Sequence, residues 1–460
     1  MDSIFDPLKY SYLFRVQESP EVITEDLVQR IWFEQLIRTP LKTTNGAKVE
    51  LLQAGKWNHG PGPDFLQAAL RINGKLQIGD LEIHLRPEGW NQHGHSLDPH
   101  YNQVIAHLVW KKRGNDVTAE TAGGKVLPEI ELSQQLSVPE SEVARFFRTS
   151  RSEQEVGERI GACQKELAAL PEERRMELIE EAGRFRFYQR TRLASAKINQ
   201  WGLDQALWLS LADALGFSRN RDPFRCLAQR YPIQSVRKLR KEAKREALLY
   251  GNAGFLPASI LPEDDLEGTM RKVWKEWWKL RNEEQLPPIQ SWDRRGIRPA
   301  NRPERRLAVM SLLSESQKWK RMLELIECSG EGAAAFLGEL EHPYWSFHAT
   351  VGGKALQHKT ALMGNSRVDA FLYNGIWPLA AATGVAGVSE KLEQAKTGES
   401  MLPARVAAVR LLGERPPSKF TRKLLLQEGL IQIYQDFCMR EYDACRNCEF
   451  PELVKKYGQR

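Results

Sequence analysis

No stretch of this chain approaches eighteen consecutive apolar residues, so a helical membrane span is not expected. The opening residues, MDSIFDPLKYSYLF, lack a basic region followed by an apolar run, and no secretory leader is expected there. Low-complexity tracts and repeats of solenoid period are also missing, which argues against linker, fibrous and repeat architectures. Cysteine is scarce: six in 460 residues do not make a disulfide scaffold. Three of the six lie close together near the C-terminus, which in a cytoplasmic chain points to metal. Histidine is scarce as well, yet six of the nine fall between Gly55 and Trp110, at positions 59, 84, 93, 95, 100 and 107.

What is present is ordinary in bulk. Hydrophobic content of 42% and charged content of 27% fit a folded protein of two or three domains. The net charge of +7 suits an anionic partner such as nucleic acid. Lys75 to Arg86 alternates. Asp80, Glu82, His84 and Arg86 share one parity, while Leu81, Ile83 and Leu85 take the other. A period of two predicts a strand, and four ionisable groups in a row on one face predict an active-site strand. The competing reading is the solvated face of an antiparallel sheet.

The surrounding pattern predicts a helix over Thr24 to Ile37, capped by Thr24. Strands follow at Val49 to Leu52, Phe65 to Ile72 and Lys75 to Arg86, with a two-residue turn at Asn73-Gly74. A buried strand is expected at Asn102 to Lys111. From about Ser141 the period becomes 3.6. Helices are expected at Glu172 to Ser195, Asp204 to Leu215, Ser235 to Tyr250, Leu266 to Arg281, Glu304 to Leu325, Val388 to Lys396 and Pro416 to Tyr434. The expected fold is an α/β domain over residues 1–135, a mixed sheet with flanking helices, then a mainly α-helical domain over residues 136–460.

Pro63-Asp64, a hairpin and Glu82-Ile83-His84 resemble the PD-(D/E)XK nuclease superfamily over about residues 20–112, in the order helix, three strands, helix, strand. The resemblance implies that Asp64 and Glu82 bind Mg²⁺ or Mn²⁺ at a scissile phosphate, with Glu34 or Glu25 as a further acid on the helix. Two carboxylates hold a hard cation with open positions, and a nearby donor stabilises charge on the phosphate. His84 stands where the superfamily carries lysine. A regular hairpin closed at Asn73-Gly74 would put Asp64 opposite Ile83, on the face away from Glu82. The site therefore needs a bulge, for which Gly79 is a candidate, or needs Asp64 to sit in the bend before its strand. The block Gly55-Lys-Trp-Asn58, Gly62-Pro-Asp-Phe65, Gly79 to His84, Trp90, His93-Gly-His95, Asp98 and Tyr101-Asn102 is also similar to a bacterial family of unknown function, over the whole chain.

Other residues carry chemistry of their own. His93, His95 and Asp98 with His84 form a zinc or manganese donor set, or else a polar loop ordered by hydrogen bonds. His93 or His95 is a candidate acid or base at a metal–phosphate centre. His107 reads as a core histidine. Cys438, Cys445 and Cys448, spaced C-x6-C-x2-C, predict zinc or an iron–sulfur cluster. The spacing is similar to the iron–sulfur loop of some DNA repair glycosylases and to the terminal cysteine clusters of iron–sulfur nucleases. The fourth ligand is Cys163, Cys226, Cys328 or a histidine. Arg294, Arg295, Arg298, Arg302, Arg305 and Arg306 form a candidate nucleic-acid surface, with DNA expected ahead of RNA. Trp274, Trp277 and Trp278 fit a core stripe better than a base-stacking platform. Three functions follow: a metal-dependent nuclease, a non-catalytic nucleic-acid-binding scaffold, and a zinc hydrolase built on the histidines.

Overall fold

The computed structural model describes residues 23–58, 60–112, 118–140, 143, 160–257, 268–281, 286, 288–289, 292–295, 297–397, 401–438, 445 and 448–459. The onset of helix expected near Ser141 lies outside these residues, apart from Val143. By its packing the chain forms two compact units. One contains residues 24–140 and 196–380; the described residues of 141–195 and 381–460 build the other.

The first unit begins with α1 (Glu25–Glu34). Thr24 caps it by accepting the Leu27 N–H at 3.3 Å, and Glu25 and Asp26 occupy its first turn. Those acids favour the positive end of the helix dipole. Gln35 ends the helix in the left-handed region, φ 54°.

Among the described residues, seven strands follow: β1 (Leu41–Lys42), β2 (Lys48–Gln53), β3 (Lys56–Trp57), β4 (Phe65–Ile72), β5 (Lys75–His84), β6 (Val104–Val109) and β7 (Glu129–Glu131). The sheet order is β1-β2-β4-β5-β6-β7, with β3 paired on β4. The first strands are antiparallel, whereas β6 runs parallel to β5, and β7 parallel to β6. The short helix α2 (Gly89–Gln92) lies on the crossover from β5 to β6. The sheet is mixed and the rest of the described chain is mainly helical.

Asn73 and Gly74 both take positive φ, 47° and 83°, and join Ile72 to Lys75 in a tight hairpin. Its register is not regular. Ala68 pairs with Gly79, but Phe65 pairs with Leu81, so Leu66 and Gln67 together face Asp80. This bulge sits in β4, not at Gly79 as the sequence suggested. Gln67 adopts φ 56°, and its N–H donates to Asp80 Oδ1 at 3.0 Å. Gly79 serves another purpose. A Cβ there would stand 2.3 Å from the Gln103 carbonyl oxygen, so glycine permits the approach of the residues that lead into β6. The strand ends at His84, and Arg86 falls in the bend beyond it.

Several helices are broken where periodicity suggested continuity. One run instead joins two expected helices: Glu172–Arg230 contains both Glu172 to Ser195 and Asp204 to Leu215, with an interruption at Gly202 between them and others at Phe217 and Asn220. Ser235 to Tyr250 divides into Ile233–Arg237 and Glu242–Asn252, with Arg245 donating to the carbonyls of Leu239 and Arg240 at the break. Glu304 to Leu325 divides into Pro303–Leu313 and Ser316–Glu327, because Glu315 turns out of the helix and accepts the N–H groups of Gln317 and Lys318. Pro416 to Tyr434 breaks at Lys423.

In the second unit, Leu167, Leu178, Ile179, Phe420, Leu430, Ile433, Phe450 and Val454 share one core. Glycine allows two of its helices to approach closely. A Cβ on Gly429 would lie 1.8 Å from the Ile179 carbonyl oxygen, and one on Gly183 would lie 2.3 Å from that of Leu425.

Candidate metal centre

The bulge at Gln67 decides the site. Resetting the register turns the start of β4 so that Asp64 meets Glu82 instead of facing away from it. The Asp64 N–H donates to Glu82 Oε2 at 3.1 Å, and Asp64 Oδ2 accepts the Ile83 N–H at 2.9 Å. Gln29, one turn after Glu25 on α1, donates its amide to Asp64 Oδ1 at 2.7 Å.

Glu82 is the hub. Its Oε1 lies 3.1 Å from His95 Nε2 and 3.6 Å from His84 Nε2. Glu82 is 5% exposed and His84 1%, so these two of the four ionisable groups are interior, while Asp80 is half-buried and Arg86 exposed. One nitrogen from each of His84, His93 and His95 lies within 4.8 Å of the others. His84 Nε2 is 3.0 Å from His93 Nδ1, and Tyr101 stacks on His95 with centroids 3.8 Å apart. Gly89 makes room for this packing, since a Cβ there would stand 2.7 Å from the His84 ring.

Behind His84, its Nδ1 is 2.9 Å from His107 Nε2, and His107 Nδ1 is 3.9 Å from Glu129 Oε2. His107 is therefore a core histidine that also supports the site. Nothing in the periodicity marks it, because it occupies an apolar strand. Gln29 and Glu129 likewise carry no local signal.

The electrostatics follow from burial. Desolvation pushes the Asp64 carboxyl up to about 8, and the nearby Glu82 charge adds to the shift. Burial alone accounts for most of the rise of Glu82 to about 8, with Glu25 contributing. Burial and the other imidazoles push His84 down to about 2, and burial pushes His107 down to about 3. His84 is consequently neutral at physiological pH. It cannot stand in for the fixed positive charge of a lysine; its chemistry is that of an imidazole ligand or base.

These shifts predict how the metal-free protein responds to pH. The carboxyls are raised, so from about pH 4 to pH 8 the folded state holds protons that the unfolded chain has released. That contribution to stability falls as pH rises through the window. The lowered histidines act oppositely, adding stability as pH rises to about 6.5, and no more above it. The two effects oppose each other below pH 6.5, and only the carboxyl effect remains between 6.5 and 8. Denaturation in the presence of a chelator should show a loss on the order of 3 kcal/mol over that upper interval. Asp64→Asn/Glu82→Gln should remove it. An equal loss in the double variant would contradict the assignment.

Not every expected residue joins this centre. Glu34 does not. It is buried among cations, 2.7 Å from Lys197 Nζ, 2.9 Å from Arg225 Nη1 and 3.6 Å from Arg221 Nη2, and they hold its carboxyl well below the usual range. Glu25 is the acid of α1 whose charge acts on Asp64, Glu82 and His95. Asp98 caps the turn at His100, accepting its N–H at 2.9 Å.

The arginine stretch also divides. Arg305 is fully buried and donates to the carbonyls of Thr360 and Ala361; Arg306 is buried and donates to that of Leu215. These two are internal scaffolding and not a phosphate-binding surface. Arg294 pairs with Glu304 at 3.2 Å, while Arg295 and Arg298 are exposed and Arg302 half-buried. Trp277 is core, packed so closely on Gly251 that a Cβ there would lie 2.1 Å from the indole.

The profile of a family described as a protein of unknown function (DUF2851) covers residues 25–402. No curated protein and no solved structure matches the chain. Among the described residues, no helix is long and apolar enough to cross a membrane.

Proposed function

We propose, from the premise that this chain belongs to the DUF2851 family, that it is a divalent-metal-dependent hydrolase of phosphodiester bonds, nuclease-like in the placement of its acids. The observation that carries this reading is the meeting of Asp64 and Glu82 across a bulged hairpin, beside three imidazoles. Their burial in a shared polar centre is what a cation would compensate. The helix α1, the antiparallel strands, the short α2 and the parallel strand β6 support a relation to the PD-(D/E)XK superfamily.

The donors fit a cation of intermediate softness. Carboxylates with imidazoles suit Mn²⁺ or Zn²⁺ better than Mg²⁺, which prefers oxygen ligands and retained waters. Asp64, Glu82, His84, His93 and His95 would hold it. When bound, such an ion supplies Lewis-acid stabilisation of charge on a phosphate oxygen.

The chain's own groups set up the rest. His84 Nδ1 and His107 Nε2 share one hydrogen bond at 2.9 Å, and the ligand form of His84 is the one in which its Nδ1–H donates to His107 Nε2. That leaves the His84 Nε2 lone pair facing Glu82 and His93. A hydrogen bond to the nitrogen behind a ligand histidine fixes its tautomer and ring orientation in this way. Gln29 and the Ile83 N–H hold the Asp64 carboxylate in place. His93 is the exposed member of the three imidazoles, so the centre opens to solvent on its side. Exposed Arg295 and Arg298 are candidate phosphate contacts, and the net charge of +7 favours a nucleic-acid substrate.

The nitrogens of three histidines within 4.8 Å of one another favour, as a second reading, a zinc hydrolase with a different substrate. One assay separates the possibilities. Chelator-treated protein is supplied with Mn²⁺ or Zn²⁺ and offered single- and double-stranded DNA and RNA oligonucleotides. Metal-dependent cleavage is expected, with DNA cut in preference to RNA. Binding without cleavage would support the scaffold alternative. Stoichiometric zinc without phosphodiester hydrolysis would support the second reading. The absence of both metal uptake and nucleic-acid binding would defeat the proposal.

A further inference from the structure

We propose that Cys163, Cys438, Cys445 and Cys448 form a second metal centre, a four-thiolate site for zinc or an iron–sulfur cluster, in the unit that contains residues 381–460.

The six cysteines fall into two groups by what their sulfurs touch. Cys226 donates to the Gly55 carbonyl oxygen at 3.5 Å, and Cys328 approaches the carbonyls of Leu325 and Glu331 at 3.8 and 3.5 Å. Both contacts are ordinary for thiols with weak backbone partners. The other four share a different environment. Cys163 and Cys438 are buried in one core, and Cys448 packs against it. Arg410 lies among them. Its guanidinium donates to Cys445 Sγ at 3.2 Å and also to Cys438.

Cys163 is 275 residues before Cys438 in the sequence, so local spacing cannot explain its presence here. Packing does. It leads the helix Gln164–Ala169, whose Leu167 shares the core with Leu411 and Val454. The neighbouring Gly161 lies against Arg410. A Cβ there would be 3.0 Å from the Arg410 carbonyl oxygen and 3.3 Å from Cys163 Sγ. On the other side, Cys438 closes a π-helical turn, Tyr434–Cys438. Such turns are uncommon and concentrate at functional sites.

The unit itself limits the alternatives. Residues 141–195 and 381–460 contain no histidine, and Cys163 is their only cysteine besides the C-terminal three. Cys163 is therefore the soft ligand that completes the C-x6-C-x2-C run. Four thiolates match the donor set of structural zinc and of iron–sulfur centres. A thiolate-bound ion or cluster is anionic overall, and Arg410 supplies a hydrogen-bond donor and a compensating charge beside it. Binding displaces the thiol protons and requires no change of sulfur oxidation state.

The test uses the full chain purified without oxygen. Zinc, iron and acid-labile sulfide are measured per chain, and X-ray absorption counts the sulfur neighbours of whichever metal is found. Zinc with four sulfurs, or iron with sulfide and visible absorbance, supports the site and distinguishes its two forms. Three sulfurs with a nitrogen or oxygen would remove Cys163 and overturn the assignment. If no metal is found, the reduced protein is titrated with Co²⁺; the tetrahedral-thiolate spectrum is expected, and its absence overturns the site. Cys163→Ser should weaken uptake roughly 100-fold or abolish the cluster, while Cys328→Ser should leave it unchanged. Glu82→Gln should not alter this spectrum, so the outcome is independent of the proposed hydrolase.

Discussion

Glu82→Gln should weaken Mn²⁺ or Zn²⁺ binding at the histidine–carboxylate centre on the order of 100-fold, equivalent to about 2.8 kcal/mol. It should abolish metal-dependent cleavage as well. The change is nearly isosteric, so packing is kept while the anionic oxygens are lost. Both oxygens are in use: Oε2 accepts the Asp64 N–H, and Oε1 stands nearest His95 and His84. An amide nitrogen placed toward Asp64 N–H would set donor against donor, and one placed toward the imidazoles would remove the ligand atom. The same variant should be more stable than the parent at pH 8 when metal is withheld, because the buried charge that forms there has gone. Calorimetric titration with Mn²⁺, paired with denaturation in chelator, measures both. Unchanged affinity would exclude Glu82 as a ligand.

Glu34→Gln should act in the opposite way. It should cost the fold roughly 3–5 kcal/mol while leaving metal affinity within about twofold. Glu34 is the counter-charge for buried Lys197 and Arg225, and Asp213 supplies the remaining anionic partner of Arg225. Burial already pulls the Lys197 ammonium down from its ordinary value. Removing one carboxylate leaves two buried cations, and the part-exposed Arg221 beside them, for one remaining anion. That imbalance, and not the lost attraction alone, makes the expected effect large. Urea denaturation and metal titration of the same preparation check both halves. A loss of metal without a loss of stability would restore Glu34 to the site.

The contrast between Glu82 and Glu34 shows what could be read from the residues. Thr24 as a cap, Asn73-Gly74 as a turn and the polarity of Glu82 and His84 are local signals, and each is expressed locally in the fold. The role of Glu34 depends on Lys197 and Arg225, which lie more than 160 residues later, and no pattern within the helix reveals them. Arg305 and Arg306 deceived for the same reason. Their acceptors are main-chain carbonyls of Thr360, Ala361 and Leu215, which have no side-chain signature. The bulge was deducible as a need but not as a place. Gln67 is not a residue that favours positive φ, and it is held there by Asp80. Cys163 had three rivals as the proposed fourth ligand, and only the fold, not the sequence, places it in the same unit as the C-terminal three.

The unit assembled from separated segments has a consequence for synthesis. Arg174 donates to the Tyr457 carbonyl 283 residues away, and the core around Leu178 and Ile179 is completed by Phe420, Leu430 and Phe450. At roughly 5–20 residues per second, a ribosome needs about 15–60 s to supply the missing side. For that interval the nascent helix beginning at Glu172 carries an uncovered apolar face, because its docking partners do not yet exist. Its maturation is timed by translation, and early exposure to chaperones is built into the order of the sequence.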